Sequence, residues 1–440
     1  MFNNARAMFH VTNEAKLHRF ELDKLVYRRL RSILVSAYLN IPYYRELMKS
    51  IGYDPSQDYQ GPEDLSKLPI TKREIIKQRK VTDFVMQNKD LSKCLKDTTS
   101  GSTGIPLVVY RTRYERAFQI AKFLRILFLN GYSMSNRVMS IARPDKITEG
   151  RSVVQRFGFL RRNAVDFLRF SPEEMVDILV KYKPDVLYGN RAHLELMALE
   201  LQRRGIQCDN LKLVLGTGEA IHESTRRLCR QQFGVDPVET YGSIEMGIMG
   251  YETPAHDGLH LYENLTYFEF LDEEGRPAPP GKPGRVIVTD LIGKLMPFIR
   301  YDQGDFAVFE HGKDLNDNTQ RRLTQTIGRQ NDYALLPDGT KRPYNDLIKI
   351  VDRFEDIRQF RIVQRTRNLF QILIVANTSY FLSIHDDLIR LLQKKFPPTV
   401  SFKIVQVEKI EPDPSGKIRA FISEVERIPD KVPGEISGKG

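Results

Sequence analysis

The stretch from Ser171 to Ser243 constrains the fold more than any other part of the 440-residue chain, because its apolar spacing switches repeatedly between a helical and a strand period. Ser171-Pro172-Glu173-Glu174 reads as a capping box with proline at the first helical position, and Met175, Ile178, Leu179 and Tyr182 then share one face. Lys183-Pro184 closes that helix, Val186-Leu187-Tyr188 is a short strand, and a second helix runs from about Ala192 to Arg204. Leu211 to Leu215 is the next strand, turning at Gly216-Thr217-Gly218-Glu219, and a third helix leads to Gly234. Strands alternating with helices imply a parallel sheet, whose ligands gather in the loops beyond the carboxyl ends of its strands. Chemistry is therefore expected in loops 216–219 and 241–247.

The flanks differ in texture. Residues 14–50 have helical spacing, as in Leu22, Leu25, Val26 and Leu30, and the run is expected to stop at Asn40-Ile41-Pro42. Between 263 and 310 the pattern is of strands, at Tyr267–Phe270, Arg285–Val288 and Phe306–Phe309, which gives a β-rich subdomain. Beyond Gly328, Gln359–Gln364 and Phe370–Ala376 form a hairpin around Arg367-Asn368, Tyr380–Lys395 is a helix and Ser401–Val407 a strand. A boundary at 328–333 follows, with a small α+β domain after it and a disordered tail from Pro429. The fold class is α/β, and the length suits two domains.

Net charge of +11 favours anionic partners, without choosing among nucleotides, coenzymes, phospholipid and nucleic acid. Arg151 to Phe170 interleaves five arginines with aromatics, and reads as an amphipathic element with solvated arginines, since no nucleic-acid signature accompanies it. Cys94, Cys208 and Cys229 match neither a disulfide framework nor a C-x-x-C metal pair, so a reducing, cytoplasmic setting is expected. No stretch approaches the roughly 18 apolar residues of a membrane helix.

One loop stands apart. Thr98, Thr99, Ser100, Gly101, Ser102, Thr103 and Gly104, followed by Ile105-Pro106, combine glycines that let a backbone approach a polyphosphate with hydroxyl donors of little bulk. No lysine follows Gly104, so this is not the phosphate loop of P-loop NTPases. A Ser/Thr/Gly run is equally a plain surface turn, so other motifs decide its meaning.

"TTSGSTGIP" resembles the phosphate loop of adenylate-forming enzymes, the superfamily of acyl-coenzyme A synthetases and peptide-synthetase adenylation domains. "GTGEA" at 216–220 resembles its adenine-pocket stretch, "YGSIE" at 241–245 its Y-G-x-T-E motif, and "RYDQGD" at 300–305 the motif ending in a ribose-binding aspartate. "GR" at 328–329 resembles the hinge and "PSGKIR" at 414–419 the loop of the catalytic lysine. "NIPYYREL", "LPITKREI", "KPDVLYGN" and "GRQNDYALLPDGT" resemble the phenylacetate-coenzyme A ligase branch and its capsule-biosynthesis subgroup.

The resemblance implies a large multi-layer α/β domain over 1–328, a hinge at 329–331 that includes Asn331, and a small mobile lid domain over 332–428. It implies ATP-dependent activation of a carboxylic acid as acyl-AMP, with transfer to coenzyme A, or alternatively to an amine or hydroxyl acceptor. A catalytically silent nucleotide-binding scaffold is the remaining alternative. Residues 98–104 would hold the β- and γ-phosphates. Tyr241 with Gly218, Glu219 and Ala220 would enclose adenine, Gly242 and Ser243 would face the phosphates, and Asp305 with Arg329 would meet the ribose. Lys417 would supply positive charge between the substrate carboxylate and the α-phosphate, and Glu245 would ligate Mg²⁺. Without these motifs Lys417 is a solvated lysine, Asp305 a turn cap and Tyr241 a core residue. Tyr188, Asn190, Thr217 and Met246 would form the acid pocket. Ile244 stands where the family has threonine, and Asn331 where it has aspartate or lysine. With only His256 and His260 after the glutamate motif, and no cysteine, zinc is not expected. A monomer or homodimer acting on small molecules, without nucleic acid, completes the expectation.

Overall fold

In the computed structural model, which describes residues 2–99, 106–144, 160–313, 319–329, 333–413 and 417–425, the chain divides into two units. The first is Met1–Asn331 with Glu411–Ile418, and the second is Asp332–Ile410 with Arg419–Gly440. Glu411–Ile418 thus group with the first unit, although the sequence reading assigns them to the small domain. The phosphate-loop residues 100–104, hinge residue Asn331 and the tail from Pro429 lie outside the described residues.

In the first unit, strands β1 (Leu95–Thr98) and β2 (Val108–Arg111) pair as a hairpin. The main sheet takes β3 (Arg137–Ala142), β4 (Arg161–Asp166), β5 (Val186–Asn190), β6 (Leu213–Thr217), β7 (Val238–Ser243), β8 (Gly247–Tyr251), β9 (Leu259–Leu261), β10 (Thr266–Leu271), β11 (Pro283–Asp290), β12 (Tyr301–Lys313) and β13 (Thr319–Arg329). Their order among the described residues is β10-β11-β12-β13-β9-β8-β7-β6-β5-β3-β4. From β4 to β7 every pairing is parallel; β7 then pairs antiparallel with β8. The sheet changes character at β7, the kind of junction where α/β sheets open a crevice for ligand.

The expected alternation is present. Helix Pro172–Tyr182 starts at the Ser171/Glu174 capping box and ends at Lys183 in left-handed conformation, φ 47°. Helix Arg191–Arg204 follows β5 directly, and Glu223–Phe233 ends at Gly234. Met175, Leu179, Met197, Leu201, Val214 and Phe233 are buried together between these helices and the parallel strands.

Three regions depart from expectation. Pro42 does not simply end a helix: Arg19–Asn40 stops there, and a second helix, Pro42–Ser50, begins with Pro42 at its first position, where its missing N–H has no helical partner to lose. The arginine-rich segment contributes Arg161–Asp166 as the edge strand β4, and residues 151–159 lie outside the described ones. Helix Arg113–Leu129 has no counterpart in the sequence reading, because buried Glu115 and Lys122 interrupt its apolar stripe.

The second unit holds a hairpin of β14 (Tyr333–Leu335) and β15 (Lys341–Pro343) and a four-stranded sheet. That sheet takes β16 (Gln359–Thr366), β17 (Leu369–Val375), β18 (Ser401–Gln406) and β19 (Phe421–Ser423) in the order β18-β17-β16-β19. Helix Thr378–Gln393 carries the chain from β17 to its parallel neighbour β18, and Ile362, Phe370 and Leu388 are fully buried in the core of this unit.

Candidate active site

The carboxyl ends of β5, β6 and β7 present three motif segments side by side. Asn190 and Thr217 are register partners, and Tyr188 lies against Phe123 with ring centroids 5.0 Å apart. Burial pushes the Tyr188 phenol up, against an opposing hydrogen bond with the Thr217 side chain. Tyr188, Asn190 and Thr217 thus form one half-buried wall. Met246 instead lines a chamber of about 30 Å³ with Arg111, Glu115, Lys122, Asp290 and Phe298.

Gly218 takes φ +80°, and a side chain there would meet Asn190 Oδ1 at 3.1 Å and Lys417 Cε at 3.8 Å. The next residue, Glu219, is half-buried, and burial pushes its carboxyl up, opposed by the charges of Arg191 and Lys417. Lys417 is therefore a close neighbour of the 216–220 loop inside the first unit. Its N–H donates to Asp413 Oδ1 at 3.2 Å, and its carbonyl accepts from the Asp413 N–H at 2.8 Å.

The turn after β7 is held through its main chain. Arg111 Nη2 donates to the carbonyls of Ile244 at 2.5 Å and Glu245 at 2.6 Å, and Lys122 Nζ donates to that of Met246 at 3.3 Å. Arg111 is anchored in turn by Asp97 at 2.7 Å, and Arg116 pairs with the same carboxylate. Gly242 is required here, since a Cβ would sit 2.4 Å from the Gly247 carbonyl oxygen. The Ser243 hydroxyl accepts from the Met246 N–H at 3.2 Å, and Ile244 packs on the apolar core.

Two tyrosines place the acids of the site. Tyr241 donates to Asp305 Oδ2 at 2.9 Å, and Tyr301 donates to Glu245 Oε1 at 2.9 Å, with Arg73 Nη2 3.8 Å from that same oxygen. Tyr301 comes to Glu245 because Thr71 pairs with the start of β12: the Thr71 N–H donates to the Arg300 carbonyl and the Asp302 N–H to that of Thr71. Arg300 of the same motif is buried and paired with Glu269 at 2.8 Å, which makes it a fold residue. The Arg329 backbone lies opposite Asp305 in the β12–β13 register, and its side chain is outside the described set.

The phosphate-loop reading falls on the β1–β2 connection. Thr99 and Leu107 close its base, through the Thr99 N–H to the Leu107 carbonyl at 3.0 Å and the Leu107 N–H to Thr99 Oγ1 at 2.9 Å. Thr99 is buried there, at the root of the loop. His256 pairs with Glu252 at 3.3 Å and His260 with Asp257 at 2.9 Å, so the two histidines have different partners. The magnesium expectation falls on the Glu245 carboxylate, whose Oε1 accepts from Tyr301. One carboxylate is a set that Mg²⁺ accepts when nucleotide phosphates and water complete its shell.

Four residues of this constellation had no role in the sequence reading. Arg73 and Tyr301 lie inside recognised segments, where position in the motif was a usable signal. Arg111 and Arg191 are buried arginines that each reach a main-chain carbonyl far away in sequence, which no local spacing announces.

Residues 337–424 match the CapK C-terminal domain family. The chain is 25% identical over 328 residues to a phenylacetate-coenzyme A ligase of Thermus thermophilus, covering 73% of each. It is 22% identical over 399 residues to protein CapK of Staphylococcus aureus, covering 88% of this chain and 86% of that one. Among solved structures, a 2-hydroxyisobutyryl-CoA ligase in the postadenylation state aligns with a TM-score of 0.79 at 20% identity, over 93% of this chain and 91% of the other, which is a likeness of fold.

Proposed function

We propose that the chain is a member of the adenylate-forming superfamily, in its branch of phenylacetate-coenzyme A ligase-like and CapK proteins, and that it activates a carboxylic acid with ATP as an acyl-adenylate and transfers the acyl group to coenzyme A. It is an AMP-forming acid-thiol ligase. In the first step the acid's carboxylate attacks the α-phosphorus, the bond to the bridging oxygen breaks, and pyrophosphate leaves. Two anions must be held together while charge builds on the leaving group, so fixed donors and cations carry the catalysis.

Lys417 supplies that charge between carboxylate and α-phosphate. Tyr241 and Asp305, already hydrogen-bonded, hold the nucleoside, Asp305 accepting from the ribose hydroxyls and Tyr241 stacking on adenine opposite Gly218, Glu219 and Ala220. The loop from Thr98 to Gly104, with Gly242 and Ser243, faces the phosphates, and Arg329 the ribose. Glu245 would hold a magnesium ion, whose chemistry there would be to neutralise charge on the triphosphate. Tyr188, Asn190 and Thr217 line the acid's site, with Met246 beneath the β7 turn. In the second step the 329–331 hinge, including Asn331, lets the small domain turn and withdraw Lys417, so that the coenzyme A thiol reaches the acyl carbon and AMP leaves. These reactions need only small-molecule partners, and the cytoplasm supplies ATP and coenzyme A. Among the described residues no helix is long and apolar enough to cross a membrane.

The observation that carries this reading is the position of Lys417 beside Gly218 and Glu219, two motif segments about 200 residues apart in the chain brought together within one unit. An amine or hydroxyl acceptor is a second reading, favoured by the CapK-type match over residues 337–424. ATP–pyrophosphate exchange across aryl, fatty, amino and hydroxy acids tests the first step, and thioester formation with coenzyme A the second. Exchange with one acid class, lost in Lys417→Ala, is the expected result. No exchange with any acid, beside measurable ATP binding, would sink it in favour of a nucleotide-binding scaffold.

A further inference from the structure

Arg191 opens helix Arg191–Arg204, a position where the helix dipole disfavours a cation, and its side chain is only 5% exposed. A buried guanidinium is costly unless fully paired, so its partners explain its presence. Nη1 donates to Glu195 Oε1 at 2.8 Å, one turn along the same helix, and Glu195 also accepts from the Thr225 hydroxyl. Nη2 lies 3.4 Å from Glu219 Oε1 in the 216–220 loop. The same Nη2 donates at 2.5 Å to the carbonyl of Ile418, the residue after Lys417 and 227 positions away in sequence.

The backbone around Lys417 is thereby clamped from two directions. Asp413 holds its N–H and its carbonyl, and Arg191 holds the next carbonyl. With those points fixed, the Lys417 side chain runs past Gly218, where its Cε is 3.8 Å from the place a Cβ would occupy. An arginine fork reaches two carboxylates and a carbonyl from two separate nitrogens, whereas lysine would have to reach all three from one.

We propose that Arg191 is the positioning residue of Lys417: its guanidinium latches the Ile418 carbonyl to the Glu195–Glu219 carboxylate pair and so sets the lysine for acyl-adenylate formation. This rests on the reading of Lys417 given above. Arg191 itself touches no reacting atom. Its contribution belongs to the adenylation step, in which Lys417 acts, and not to thioester formation from a finished acyl-adenylate.

The test compares wild type with Arg191→Lys, which keeps the charge near both carboxylates, and with Asp413→Ala, which removes the side-chain half of the other clamp without entering the buried ion cluster. Hydrogen exchange of a peptide spanning 411–420 reads the latch directly, and is expected to accelerate about tenfold or more in both variants at unchanged global melting temperature. With phenylacetate as the probe acid, pyrophosphate exchange should fall at least about tenfold, a loss of about 1.4 kcal/mol or more in transition-state stabilisation. Thioester formation from supplied phenylacetyl-adenylate should stay within about twofold. Equal amide protection in Arg191→Lys and wild type overturns the latch whatever the activities. Lost protection with both half-reactions equally impaired overturns the positioning role. A wild type that exchanges no pyrophosphate with phenylacetate or with any other aryl, fatty, amino or hydroxy acid, beside lost protection in the variants, supports the latch and counts against the adenylating function instead.

Discussion

The two loops that flank the crevice are held by buried cations in opposite ways. After β7, Arg111 and Lys122 grip three successive main-chain carbonyls, of Ile244, Glu245 and Met246. After β6, Arg191 grips side chains, the carboxylates of Glu195 and Glu219, and reaches on to the Ile418 carbonyl. A grip on carbonyls is indifferent to side-chain identity, so the β7 turn keeps its path with isoleucine at position 244. What Ile244 removes is one hydroxyl donor, while the Ser243 hydroxyl is next to it and bonded to the Met246 N–H. A grip on carboxylates depends on each partner, so the β6 loop is the more sensitive of the two to substitution.

The sharpest way to break this contrast is Arg111→Met. It strips the β7 turn of its anchor and takes an ion-pair partner from buried Asp97, a loss of about 3–5 kcal/mol read from the denaturant midpoint. A loss below about 1 kcal/mol would mean that the turn holds itself. Lys417→Ala acts on the other loop, with pyrophosphate exchange expected to fall ~10²–10³-fold while the denaturant midpoint hardly moves. Tyr241→Phe removes one hydrogen bond to Asp305, worth about 1 kcal/mol, and KM for ATP should rise about fivefold at constant kcat. An unchanged KM would free Asp305 from that tyrosine.

The smallest effect is a pH slope. Burial brings the Lys122 ammonium down to about 8 from its ordinary 10.5, with Asp290 opposing and Arg111 adding to the shift. The unfolded chain then binds the proton more tightly than the folded one, so this group makes stability rise as pH climbs from about 8 to 10.5. Lys122→Met should flatten that rise in urea midpoints measured across the interval. A slope that survives the substitution would assign the alkaline gain to another group.

Much of the parallel layer is legible residue by residue. The Ser171/Glu174 capping box, the stop at Lys183 and the turn at Gly234 are local instructions, and local physics executes them. The Gln359–Gln364 and Phe370–Ala376 hairpin is legible for the same reason, since alternation and a short turn specify it without distant partners. Pro42 shows the limit of a local rule, because the same ring that stops one helix is preorganised to start another. Helix Arg113–Leu129 was hidden because its buried charges serve partners far away: Glu115 accepts from the N–H groups of Lys294 and Leu295, and Lys122 serves the Met246 carbonyl.

The sequence by itself determined the order of the motifs and their chemical types: hydroxyls and glycines at 98–104, a tyrosine and two acids at 241, 245 and 305, and a lysine at 417. Residue type and local spacing are enough for that, because they depend on short-range backbone preferences and on intrinsic side-chain chemistry. Only the tertiary structure decided which buried cations hold these groups in place. Arg111, Lys122 and Arg191 each find a main-chain acceptor 124 or more residues away, across pairings that exist only once the chain has folded, and a charge enters the interior only where such partners already wait.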